Sequence, residues 1–252
     1  VDAISGATSQ SESVKKAVSK AMVKSGKALA QEEGADDTTP KNYDVVVVGS
    51  GGAGLAAAIQ AHDEGARVLI VEKMPTFGGN TIKASAGMNA AETRFQRVKG
   101  IEDSKELFYQ ETLKGGQNRN NPELLRCFVE HAPQAIEWLA NRGIMLNDIT
   151  TTGGMSIDRT HRPKDGSAVG GYLISGLVRN VTRRGIDVML DTSVEEILCE
   201  QGKVSAVRLI NDENETLTVA VKSVIVATGG FSANSEMVVK YRPDLAGFVT
   251  TN

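Results

Sequence analysis

Tyr43-Asp44-Val45-Val46-Val47-Val48-Gly49-Ser50-Gly51-Gly52-Ala53-Gly54 is the stretch whose reading decides the fold. Four consecutive valines are too apolar and too β-branched for a strand with one face in water, and they run straight into glycines that fit G-x-G-x-x-G. The pattern predicts a buried parallel strand ending in a phosphate-binding turn. Gly49 makes the tight turn, Gly51 lets a pyrophosphate approach a backbone that has no Cβ in the way, and Gly54 lets the next helix pack on the strand. Gly52 and Ala53 complete the cradle. Leu55, Ala58, Ile59 and His62 then fall at helical spacing as far as Gly65, and the free N-terminal amides of that helix would face the phosphates with its positive dipole end. Ala66 to Val71 reads as a second strand. It delivers Glu72 about 20 residues beyond the glycines, where an acid binds the ribose hydroxyls of a dinucleotide. The alternative, a glycine turn in an ordinary α/β sheet, leaves that acid unexplained.

With 252 residues, 40% of them hydrophobic, the chain can bury a sizeable core, and one large domain plus a small piece is expected. The formal net charge of -3 carries no basic stripe, which argues against nucleic acid as a partner. No apolar run approaches the roughly 20 residues that span a bilayer, so no membrane span is expected. Cys127 and Cys199 have no CxxC or Cys/His cluster around them and read as buried or bystander thiols, with no metal site. Because the chain starts at Val1 and stops at Asn252 in what reads as a connection, it is taken as an incomplete segment of a longer protein.

Ser9-Gln10-Ser11-Glu12 forms a capping box for an amphipathic helix over residues 11 to 30, and residues 31 to 42 lose their apolar content and read as a linker. Gly78-Gly79-Asn80 and Ser85-Ala86-Gly87-Met88-Asn89 are small-residue turns that let backbone amides reach a planar ligand. Pro122 and Pro133 are each expected to open a helix, with Leu124, Leu125, Phe128 and Val129 in the first core stripe and Ile136, Trp138 and Leu139 in the second. Residues 150 to 171 form a glycine-rich loop holding Arg159, His161 and Arg162, a cluster able to bind a carboxylate or phosphate, or to serve structurally. A helix over Tyr172 to Arg183 is followed by strands at Val188 to Leu190 and Val194 to Leu198, and by a small meander at Val204 to Ile210 and Leu217 to Val221. Val224 to Ala227 reads as a second buried strand, ending in Thr228-Gly229-Gly230. No second G-x-G-x-x-G lies between residues 73 and 223, which weighs against a nicotinamide half-reaction in this chain.

Two resemblances carry the reading further. Asp2-Ala3-Ile4-Ser5-Gly6-Ala7-Thr8 is similar to the flavinylation motif of FMN-binding domains, which implies FMN held covalently on Thr8; a Ser/Gly/Ala/Thr turn capping the next helix is the other reading. Glu72-Lys73-Met74-Pro75 with Gly78-Gly79-Asn80, then Ser85 to Asn89, the Arg159-Thr160-His161-Arg162-Pro163 loop and Ala227 to Gly229 resemble the FAD domain of the fumarate reductase, urocanate reductase and succinate dehydrogenase flavoproteins. That resemblance implies an α/β, Rossmann-like fold with a central parallel sheet and a small meander over residues 43 to 252, preceded by the end of an FMN-binding domain over residues 1 to 30. It implies non-covalent FAD held by the residues already named and by Lys73, Ala86, Met88 and Val194.

The implied chemistry is electron transfer from FMN to FAD and hydride transfer to the double bond of a small α,β-unsaturated carboxylate. Thr152 would sit on the substrate side, where fumarate-specific members can carry a methionine. No residue of this segment is assigned as the catalytic acid, and the segment alone is expected not to reduce fumarate or urocanate. A non-catalytic flavin electron carrier, or a dehydrogenase of the same fold running oxidatively, are the rival readings. A quinol dehydrogenase or a cytochrome-like protein is the implied electron donor. The resemblance favours a periplasmic or extracytoplasmic location and leaves a cytoplasmic one open.

Overall fold

The four valines form the centre of strand β1 (Tyr43–Val48), with Val46 and Val47 wholly buried. β1 is an interior strand of its sheet, with a parallel neighbour paired along each edge. One is β2 (Val68–Val71), whose four residues are all buried, and the other is β9 (Thr216–Val226). The computed structural model describes residues 42–248, which fall into two units. The first runs to Thr81 and resumes at Val178; the second is Ile82–Leu177. Thr8, the helix expected over residues 11 to 30 and nearly all of the linker lie outside the described residues.

In the first unit, helix α1 (Gly52–Asp63) follows β1 and buries Leu55, Ala58 and Ile59. Six strands form one sheet in the order β6-β2-β1-β9-β8-β7, with β6 (Asp187–Met189), β7 (Thr192–Glu200) and β8 (Lys203–Asn211). β6, β2, β1 and β9 are parallel, and β9, β8 and β7 are antiparallel. The expected parallel sheet and meander are therefore a single sheet with one core, in which Val46, Leu69 and Val71 pack with Val207, Leu209, Val219 and Val221. Each such side chain contributes about 1.5–3 kcal/mol on burial.

Leu217 to Val221 and Val224 to Ala227, read from the sequence as separate strands, are one strand up to Val226. Lys222 and Ser223 are polar but lie exposed within it, and Lys222 Nζ pairs with Asp44 at 2.7 Å. The strand passes from β8 (Val219↔Val207) to β1 (Val224↔Val46) without a break. Its last turn is not buried as expected, since Val226 is 64% exposed.

The second unit holds strands β3 (Met88–Asn89), β4 (Asp148–Thr150) and β5 (Thr160–Arg162) in an antiparallel sheet ordered β3-β5-β4. With them are helices α2 (Arg94–Val98), α3 (Lys105–Gly115) and α4 (Pro122–Ala140). Pro133 does not open a second helix; it lies inside α4. Leu125, Val129, Ala132, Ile136 and Leu139 form one buried stripe that stays in register through the proline, while Leu124 and Phe128, expected in the core, are exposed. Helix α5 (Val169–Arg184) begins three residues earlier than Tyr172 and leads the chain into β6. Back in the first unit, the last described α-helix is α6 (Ser235–Tyr241), followed by a single 3-10 turn at Pro243–Leu245. Cys127 and Cys199 are both exposed, so the alternative of buried thiols is wrong. Among the described residues no helix is long and apolar enough to cross a membrane.

Candidate functional site

The C-terminal ends of β1, β2 and β9 bring the sequence-predicted residues of the first unit together. Gly49, at φ +104°, turns the chain; its N–H donates to the Val71 carbonyl at 2.8 Å, while the Ala227 N–H donates to the Val48 carbonyl at 2.9 Å. A Cβ on Gly49 would lie 2.5 Å from the Ala227 oxygen, and one on Gly54 would lie 1.9 Å from the Gly49 oxygen. Those two glycines are dictated by the chain's own packing. Gly51 is different, because its Cβ would meet nothing nearer than Thr81 Oγ1 at 3.8 Å. The chain gives no internal reason for that glycine, whereas a pyrophosphate lying on the backbone at the start of α1 does. Gly51 is the N-cap of α1 and offers no side chain to the first turn.

The second glycine pair closes this cradle. Gly78 N–H donates to the Ser50 carbonyl at 3.0 Å, Gly51 and Gly78 form a bridge, and a Cβ on Gly79 would reach within 3.6 Å of the Gly51 Cα. Asn80 follows, exposed, and Thr81 accepts the Gly52 N–H on Oγ1 at 3.1 Å. Ala53 is exposed in the first turn of α1, Lys73 is exposed beyond β2, and Thr228 and Gly229 are exposed past β9. Val194 is paired with Leu209 between β7 and β8 and packs against the core cluster, so its side chain has a structural task.

Glu72 sits where β2 ends, 7% exposed, as the spacing required. Its Oε2 accepts from both the N–H and the hydroxyl of Ser50, each at 2.8 Å, and its Oε1 accepts from the Met74 N–H at 2.9 Å. The sequence reading missed Ser50, Thr81 and the Met74 amide. Ser50 stands at the first variable position of the fingerprint, so its place was visible but its contact with Glu72 was not.

In the second unit the residues read as flavin-wrapping or substrate-facing form a polar cluster. The Thr160 hydroxyl donates to Asn89 Oδ1 at 2.6 Å, and Thr152 Oγ1 lies 2.9 Å from Thr160 Oγ1. Gly87 is small because β5 lies against it. A Cβ there would be 2.5 Å from the His161 oxygen and 2.7 Å from Thr160 Cγ2, so its reason is packing, where ligand access was expected. Met88 and Asn89 are strand, while Ser85 and Ala86 are exposed.

The Arg159, His161 and Arg162 cluster is committed to internal partners, which decides between its two readings for the structural one and against an anion site. Arg159 and His161 are wholly buried. Arg159 pairs with Asp103 at 2.8 Å and Glu111 at 2.9 Å, while Arg162 pairs with Asp148 at 2.6 Å. Alternation along β5 puts the side chains of Thr160 and His161 on opposite faces, so the buried His161, with Arg159 just before the strand, backs the strand that carries the Thr160 cluster.

A family model described as an FAD binding domain matches residues 44–252. The chain is 84% identical over 252 residues to an NADH:fumarate oxidoreductase of Klebsiella pneumoniae, covering all of this chain and 27% of that protein. It is 43% identical over 210 residues to a fumarate reductase (cytochrome) of Shewanella frigidimarina, covering 83% of this chain and 37% of that one. Among solved structures, the open conformation of a flavocytochrome c3 fumarate reductase superposes with a TM-score of 0.79 at 33% identity, over 92% of this chain and 40% of that one. The chain thus spans between about a quarter and two fifths of the length of these relatives.

Proposed function

The chain belongs to the FAD binding domain family, and from that premise we propose that the protein is a flavoprotein reductase acting on the carbon–carbon double bond of a small α,β-unsaturated carboxylate of the fumarate or urocanate kind. The observation that carries this reading is the cradle around Gly51, open where a pyrophosphate would lie and closed everywhere the chain packs on itself. Similarity to proteins named as an NADH:fumarate oxidoreductase and a fumarate reductase (cytochrome) supports the reaction class.

The residues present fit the group. The α1 amides and the positive end of its dipole receive the pyrophosphate, and Glu72 accepts a ribose hydroxyl. When bound, FAD supplies the hydride that is delivered to the β-carbon of the substrate. Thr152 faces the substrate in this reading, and Asn89, its carbonyl oxygen taken by Thr160, keeps its N–H₂ donors for a ligand acceptor. Thr8 would carry FMN through a phosphoester, and that flavin would supply the entry point for electrons from an upstream donor protein. The support for Thr8 is its seven-residue motif, which lies within the span that the Klebsiella relative matches. Since no second dinucleotide fingerprint lies between residues 73 and 223, the reading places any nicotinamide half-reaction elsewhere than on this cradle.

The test is oxidation of reduced viologen by the full-length holoprotein in the presence of fumarate, urocanate or acrylate. Turnover with at least one is expected, and inactivity toward every unsaturated carboxylate tried would overturn the reading. Intact mass of protein made with its flavin transferase should show an FMN-sized increment that Thr8→Ala removes.

A further inference from the structure

We infer that Ser50 is a positioning residue that limits Glu72 to a single acceptor site, on Oε1, for one hydroxyl of the bound ribose. This rests on the FAD reading above and goes further by stating how the acid reads the sugar. An ionised carboxylate offers about four lone-pair sites over its two oxygens. Ser50 fills both sites of Oε2, one with its N–H and one with its hydroxyl, each at 2.8 Å. The Met74 N–H fills one site of Oε1 at 2.9 Å, and one site remains.

The arrangement is fixed from several sides. Ser50 is wholly buried, so water does not compete for its hydroxyl. Its carbonyl accepts from Gly78 N–H at 3.0 Å, which ties the fingerprint loop to the second glycine pair. The Glu72 backbone is held by its N–H to the Met189 carbonyl at 2.8 Å and by the Thr192 N–H to its own carbonyl at 3.0 Å. A carboxylate so held does not turn to present both oxygens to a diol. Its contact with the ribose is one-handed, and the serine hydroxyl makes it so.

Full-length protein stripped of FAD and titrated with ADP, 2′-deoxy-ADP and 3′-deoxy-ADP by calorimetry tests this without any turnover. In the wild type, one deoxy analogue should bind roughly tenfold or more weakly than ADP and the other within about twofold, because one hydroxyl only is bonded to the charged acceptor. In Ser50→Ala, Oε2 regains a free site, so both analogues should weaken and the difference between them should shrink to about twofold. Equal affinities of the two analogues for the wild-type protein, weakened or not, would overturn the inference whether or not Ser50→Ala folds. An unchanged split in a folded Ser50→Ala protein would remove Ser50 from the account. Failure of the wild type to bind ADP at all would overturn the FAD reading and this inference with it.

Discussion

His161 Nε2 lies 2.8 Å from the hydroxyl of Thr93, and its Nδ1 lies 2.8 Å from the Arg159 carbonyl oxygen. A carbonyl only accepts, so Nδ1 carries the proton and Nε2 accepts from Thr93. The same Thr93 oxygen accepts the Gln96 N–H at 3.1 Å as the N-cap of α2, so the imidazole, the cap and β5 are joined.

Burial pushes the His161 imidazole below its ordinary value of 6.5, against the smaller opposing pull of the Arg159 and Met88 backbone; of the charged groups around it, Asp103 favours and Lys99 disfavours protonation. The unfolded chain takes up a proton in the ordinary range and the folded one does not. Stability from this residue is therefore fully present above that range and is lost as pH falls through it toward the lowered folded value. Urea unfolding followed by Trp138, the chain's single tryptophan, should have a flat midpoint above about pH 7 and a falling one from about pH 6.5 to 5. His161→Gln should flatten that descent, and a wild-type midpoint unchanged across the range would contradict the assignment.

Arg159 answers two carboxylates in the interior, Asp103 at 2.8 Å and Glu111 at 2.9 Å, with the Phe108 ring centre 5.0 Å from its guanidinium carbon. Removing the cation strands buried negative charge, so Arg159→Met should cost about 3–5 kcal/mol in urea unfolding. Adding Asp103→Asn should recover part of that loss, because one uncompensated charge goes with it. Equal stabilities of the single and double variants would show that the pairing with Asp103 matters little.

Gly87→Ala separates packing from ligand access. With the His161 oxygen 2.5 Å and Thr160 Cγ2 2.7 Å from the new methyl, β3 must move off β5. A loss of about 1–3 kcal/mol is expected in protein freed of flavin. An unchanged thermal midpoint of the apoprotein would return Gly87 to a purely ligand-facing role.

What the sequence displayed well was local. β1, the glycine turn, α1, β2 and Glu72 follow one another within about 30 residues, and each is fixed by its own composition and order. What it hid depends on partners distant along the chain. Nothing near Arg159 announces Asp103 or Glu111, and nothing near His161 announces Thr93, so a cluster able to bind an anion could not be told from one already satisfied. Lys222 and Ser223 looked like a break between strands because their neighbours across β9 are not readable locally. Pro133 looked like a helix start, for the same reason, although the apolar stripe from Leu125 to Leu139 runs through it.

The glycine fingerprint itself supplies a pair of substitutions with opposite signatures. Gly51 has φ -71°, which any residue adopts, and its Cβ would stand 3.8 Å or more from every other part of the chain. Gly51→Ala should therefore lower the thermal midpoint of the apoprotein by only about 2–3 °C, since the methyl clashes with nothing and alanine is a poorer N-cap than glycine by roughly 0.7 kcal/mol. It should nevertheless lower FAD affinity by at least tenfold, because the methyl occupies the place of the pyrophosphate. Gly54→Ala should do the reverse at the level of the fold. Its methyl would sit 1.9 Å from the Gly49 oxygen, so α1 has to lift from β1, and the apoprotein should lose several degrees before any cofactor is added. Measuring apoprotein melting and FAD titration on both variants decides the matter. A Gly51→Ala protein that melts normally and binds FAD as wild type does would mean that the open face of Gly51 is not where the pyrophosphate lies, and the cradle would have to be sought elsewhere on the sheet.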